Sequence, residues 1–151
     1  MGLFGPGDPT KDWPVSSAPI PEINSVLMQF DALRFGAPLE AARFLGRPDR
    51  FEKSGKKAIL HYSGKGLRLT FTDDVLSEVA FLIGAASPSA PDGTRLTPET
   101  DKEAIVKLFG EPDPDGSDDI CLQIFHDHGM ASDFYIDERG RLTEWALYPS
   151  E

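Results

Sequence analysis

The sequence predicts an α+β domain made of two tandem copies of one unit, a helix followed by antiparallel β-strands, with the sheets side by side and the helices on one face. Three observations predict it. The helix stop Leu45-Gly46-Arg47-Pro48-Asp49 returns sixty-four residues later as Phe109-Gly110-Glu111-Pro112-Asp113. Each stop is followed by runs of alternating apolar residues, the period of a strand. The third run of each set also matches: Leu76-Ser77-Glu78-Val79-Ala80 is echoed by Leu142-Thr143-Glu144-Trp145-Ala146, an offset of sixty-six. Two extra residues in the strand turns account for the difference.

Taken in order, residues 1–25 form an extended Pro/Gly-rich arm, because Pro6, Pro9, Pro14, Pro19 and Pro21 forbid a helix and disfavour a central strand. Trp13 is the residue that would pack the arm back on the domain. The domain proper spans 26–151, with repeat one at 26–84 and repeat two at 85–151. From Val26 to Phe35 an alternating run broken at Asp31-Ala32 predicts a short hairpin. The first helix is Pro38–Leu45, with proline in its first turn, where its missing N–H costs little. Gly46 and Pro48 stop it. Strands are expected at Ala58–Tyr62, Leu67–Phe71 and Leu76–Ile83. Ser87–Pro98 is the linker. The second helix opens on the capping box Thr100-Asp101-Lys102-Glu103. Strands follow at Ile120–His126, Ala131–Ile136 and Leu142–Tyr148.

Strand parity assigns the faces. Leu67, Leu69, Phe71, Val79, Phe81 and Ile83 point under the helices, as do Ile120, Leu122, Ile124, Phe134, Ile136, Trp145 and Leu147. The opposite face then carries His61, Arg68, Thr70, Glu78 and Leu82 in the first half. In the second half it carries Gln123, Phe125, Asp133, Tyr135, Glu144 and Tyr148. No further helices are encoded to cover that face. Aromatic side chains anchor protein interfaces and carboxylates select basic partners, so Phe125, Asp133, Tyr135, Glu144 and Tyr148 are the candidate partner-binding residues.

Charge points the same way. The net charge of −10 is spread unevenly: −2 over residues 1–30, +2 over 31–84 and −10 over 85–151. The acidic half repels nucleic acid and anionic membranes and attracts a basic partner. Asp115, Asp118 and Asp119, in the loop before the fifth expected strand, extend the acidic edge and join the candidate partner-binding set. A single cysteine, Cys121, excludes an internal disulfide. Residues 1–9 lack the basic start and apolar run of a signal peptide, so a cytoplasmic home is expected.

Candidate chemistry is sparse. His126-Asp127-His128 has a metal-binding spacing, with Asp115, Asp118 or Asp119 as a third ligand, but a polar turn accounts for it. Asp113–Asp119 lacks the order of a calcium loop. Cys121 lies in an apolar run without a basic neighbour. Ser63-Gly64-Lys65-Gly66 lacks the rest of a phosphate loop. No catalytic residue, metal or cofactor is assigned, and the chain is not expected to be an enzyme.

The duplicated helix, Leu-Gly-x-Pro stop and strand set resembles the β-lactamase-inhibitory-protein-like fold over about residues 26–149. The SmpA/OmlA-type assembly lipoproteins carry one related unit. The resemblance implies that an open sheet face binds an enzyme. Here the lipobox cysteine and disulfide pairs are missing. Small acidic cytoplasmic proteins of this kind look similar to bacterial toxin immunity proteins. The expected function is therefore a non-catalytic immunity or inhibitor protein that occludes a basic toxin or effector enzyme. The alternatives are a scaffold module using the arm, and a metal-dependent enzyme or sensor built on His126 and His128.

Overall fold

Alternation in the sequence becomes strand pairing in the computed structural model, which describes residues 7–150. Among those residues seven strands form one antiparallel sheet. They are β1 (Arg50–Ser54), β2 (Lys57–Tyr62), β3 (Leu67–Thr72), β4 (Val75–Leu82), β5 (Cys121–Phe125), β6 (Met130–Ile136) and β7 (Leu142–Pro149). The spatial order is β1-β2-β3-β4-β7-β6-β5. Both strand sets therefore join in one continuous sheet rather than two, through β4 and β7. The six expected strands stand where alternation places them. β1 was not foreseen.

Two helical segments accompany the sheet. Leu39–Leu45 is a 3-10 helix rather than an α-helix. It has no side-chain cap, and its ends are pinned: Leu76 donates to the Ala37 carbonyl, and Arg47 donates to that of Pro14. Helix α1 (Lys102–Phe109) is capped by Asp101, which accepts from the Ala104 N–H at 2.9 Å. The cap thus falls one residue past Thr100. The region 26–35 makes only a bridge between Asn24 and Gln29, not a strand hairpin.

The register confirms the parity of the central strands. Val79 pairs with Leu147 and Phe81 with Trp145, while Trp145 pairs with Phe134 and Phe134 with Leu122. These inward residues bury against Ala42, Leu45 and Ile105, and against Trp13, Ile23, Met28 and Phe30 from the first thirty residues. At the centre the Phe134 ring stacks on Trp145 with centroids 5.5 Å apart, and Phe109 meets both. Such aromatic contacts add to the area they bury. Ile120 departs from expectation: it precedes β5 and is 59% exposed.

Candidate functional site

The outward side of the sheet is organised by cross-strand rows. One row runs across all seven strands: Arg50, His61, Arg68, Ala80, Ala146, Asp133 and Gln123. Next to it Leu82 pairs with Glu144, Glu144 with Tyr135, and Tyr135 with Cys121. Four of the predicted site residues, Asp133, Tyr135, Glu144 and Tyr148, thus share one face.

Alanines in these rows let long side chains reach over a whole strand. Arg68 on β3 crosses Ala80 on β4 and donates to Glu144 on β7 through both guanidinium nitrogens, at 3.2 and 2.6 Å. Its Nη2 also lies 3.7 Å from Glu78. Gln123 on β5, opposite Asp133, reaches diagonally over β6, where Ala131 is the partner of Tyr148, and donates to the Tyr148 hydroxyl at 2.9 Å. That hydroxyl donates in turn to Asp133 Oδ1 at 2.8 Å, and Tyr135 donates to Asp133 Oδ2 at 3.4 Å. The face is therefore clasped laterally and holds its polar groups in fixed places.

The protonation tendencies of this patch agree with one another. Burial, then the charges of Asp133, Asp118 and Glu144, pushes the Cys121 thiol up to about 11. Tyr148 is pushed up to about 12, by burial first and with Asp133 holding its proton. Burial and Asp133 raise Tyr135 as well. Glu78 is raised by burial against the pull of Arg68, with Glu144 and Asp133 adding to the rise. Burial works to lower Arg68, but Glu144 and Glu78 outweigh it and leave it raised. The patch keeps its thiol and phenols protonated, and its three carboxylates, Glu78, Glu144 and Asp133, outnumber its one arginine, Arg68.

The remaining predicted residues sit apart. Asp118 Oδ1 accepts from the N–H groups of both Ile120 and Cys121, at 2.9 Å each. Asp113 accepts from Gly116, its own N–H bonds the Gln123 carbonyl, and Ser117 accepts from the Gln123 N–H. This loop covers the free side of edge strand β5, so Asp118 works as an edge cap, while Asp115 and Asp119 are exposed. Phe125, 55% exposed, turns toward a depression it shares with Val26, Leu27 and His126–His128.

His126 and His128 do not gather a metal set. Among the described residues no three His, Cys, Asp or Glu side chains converge to hold an ion. His126 Nε2 instead lies 2.7 Å from Ser132 Oγ, which also accepts from Trp145 Nε1 at 2.8 Å. Ser132 is fully buried. The sequence analysis missed this trio. Its signal was a serine at an inward position of β6, between Met130 and Phe134.

No protein-family model matches the chain, and no curated protein matches it. Among solved structures it is similar to a cysteine-rich secretory protein from Staphylococcus aureus, with a TM-score of 0.58 and 11% identity over 90% of this chain. The match covers 50% of that protein, so this chain spans about half its length. A DUF4309 family protein from Bacillus subtilis is also similar, with a TM-score of 0.42, 15% identity, and 72% and 74% of the two chains covered. The first likeness shows a shared fold. No helix among the described residues is long and apolar enough to cross a membrane.

Proposed function

We propose that this chain is a non-catalytic binding protein of the inhibitor or immunity type, working in the cytoplasm. It occludes a basic toxin or effector enzyme with the outward face of β5, β6 and β7. One observation carries the proposal: Asp133, Tyr135, Tyr148, Glu144 and Arg68 form a hydrogen-bonded layer on a sheet face that solvent reaches. A face already rigid loses little side-chain freedom on binding, which favours affinity. Its potential attracts cationic surfaces and speeds encounter with them.

The two-unit origin of the fold belongs to the same proposal. The helix-stop glycines Gly46 and Gly110 adopt nearly the same backbone geometry, φ 84 and 115 with ψ −175 and −177. β2-β3-β4 and β5-β6-β7 are each antiparallel ladders in chain order. Duplication followed by divergence explains a near-neutral first half and a strongly acidic second half.

The test is capture from the producing cell with the immobilised chain, beside a variant carrying Asp133→Asn and Tyr135→Ala. The expected result is a basic protein retained by the parent chain, released by salt, and lost with the variant while its circular dichroism is unchanged. Co-expression then asks whether the parent chain relieves toxicity of that protein. Equal retention by the folded variant sinks the proposal, as does a captured protein whose toxicity is not relieved.

A further inference from the structure

We infer that Asp133 is the seat of a guanidinium group, so that the partner docks an arginine, rather than a lysine, on β6. The inference rests on the binding function proposed above and names the partner's chemistry. Three carboxylates share the middle of this face: Glu78, Glu144 and Asp133. Arg68 serves the first two. Among the described residues no cation lies within ion-pair reach of Asp133.

What Asp133 has instead is orientation. The Tyr148 and Tyr135 hydroxyls donate one hydrogen bond to each of its oxygens, and Gln123 fixes Tyr148 from the far side. A carboxylate offers about four acceptor positions, so two remain for an incoming donor pair. Two phenol rings stand beside it, and rings attract cations placed over their faces. The neighbours of Asp133 across the strands are Ala146 and Gln123, and Ala131 lies two residues before it on β6. Two of these three are small, which leaves the approach to the carboxylate low.

Arg68 shows which cation suits such a surface. Its flat guanidinium spans the short side chain of Ala80 and meets Glu144 with two parallel N–H bonds. A planar, weakly hydrated group can lie on alanine and stack on tyrosine while still forking to a carboxylate. A compact, strongly hydrated ammonium loses both advantages.

The experiment titrates the full, isotope-labelled chain with hexa-arginine and hexa-lysine peptides at low salt, following backbone amides by NMR. The expected shifts centre on Asp133, Tyr135, Tyr148 and Gln123, with hexa-arginine binding about ten-fold tighter than hexa-lysine. Asp133→Asn weakens hexa-arginine about ten-fold, while Glu99→Gln, exposed ahead of α1, changes it less than about two-fold. Equal binding of the two peptides overturns the guanidinium assignment. So do shifts centred on residues 113–119, or a Glu99→Gln loss matching that of Asp133→Asn. If Asp133→Asn fails to fold, the shift map of the parent chain decides alone. The two proposals fail separately. Arginine binding that needs Asp133, with cellular capture that does not, keeps the seat and removes the proposed function. Capture that needs Asp133, with peptides that bind alike, does the reverse.

Discussion

Ser132 faces the core between Met130 and Phe134, where an apolar residue would ordinarily stand. Its hydroxyl accepts from the indole of Trp145 and bonds the His126 ring, so the buried hydroxyl and indole and the half-buried imidazole satisfy one another. Ser132→Ala keeps the volume but orphans the indole N–H and a ring nitrogen. The expected cost is about 1–3 kcal/mol in urea denaturation, because a buried donor without a partner loses its hydration uncompensated. The same trio sets a pH response. Burial lowers His126 below its ordinary 6.5, against a smaller opposite pull from Asp127. The unfolded chain then binds more protons than the folded one between the two values, so stability rises with pH there. Stability should therefore fall as pH drops below about 6.5, and His126→Gln should flatten that slope. Glu78, raised from 4.5, acts in the opposite sense at lower pH. Comparing the urea midpoints of the variant and the parent isolates the histidine, and equal slopes would rule it out. Parity made the inward position of Ser132 readable, but not its partners. His126 ends the strand run, and its ring direction depends on the turn at Asp127–Gly129, where His128 takes a left-handed φ of 64.

The two helix stops look alike in sequence and differ in surroundings. Gly46 and Gly110 both hold positive φ with ψ near 180, a region essentially closed to other residues. A Cβ on Gly46 would lie 2.7 Å from Ser16 and 2.9 Å from the Pro14 carbonyl, whereas one on Gly110 would meet nothing within 4 Å. Gly110→Ala therefore carries the backbone cost alone, about 1–3 kcal/mol. Gly46→Ala adds a clash that displaces the arm, and should lower the thermal midpoint clearly further. Equal midpoints for the two variants would show that the arm yields freely at that contact. The motif announced both glycines, but the contact with Ser16 lies thirty residues back along the chain and no local pattern encodes it. β1 escaped notice for a related reason. Arg50-Phe51-Glu52-Lys53-Ser54 has one apolar residue and lies at the sheet edge, where charged residues, lysine among them, blunt further pairing. The loop over β5 does the same for the other edge, and that explains part of the acid that composition alone assigned to a partner.

At the scale of the whole molecule residues 7–30 are part of the fold. Trp13 is 1% exposed and Ile23 is 5% exposed, both within the central cluster. Lys65 Nζ donates to the carbonyls of Ser16 and Ala18 at 2.9 Å each. The prolines spoke against a helix in this segment, and residues 9–13 make turns where an extended arm was expected. Its burial was not legible, since an irregular chain carries no period to mark an inward side, and Trp13 was the one clue. Deleting residues 1–24 therefore tests folding as much as any contact the arm makes, and does not separate a scaffold from an inhibitor. Point changes separate them better. Val15 is 80% exposed, so Val15→Asp should leave stability within about 0.5 kcal/mol and remove an apolar contact only if the arm binds a partner. Trp13 reports the opposite property. Its indole N–H has no partner in the interior, so Trp13→Phe loses volume but no hydrogen bond. Trp13→Ala should cost about 3–5 kcal/mol by leaving a cavity, and Trp13→Phe markedly less. Calorimetry of the two variants checks this. A Trp13→Ala protein that melts with the parent would show that the arm is a separable segment, and would make the deletion a clean test of the scaffold alternative.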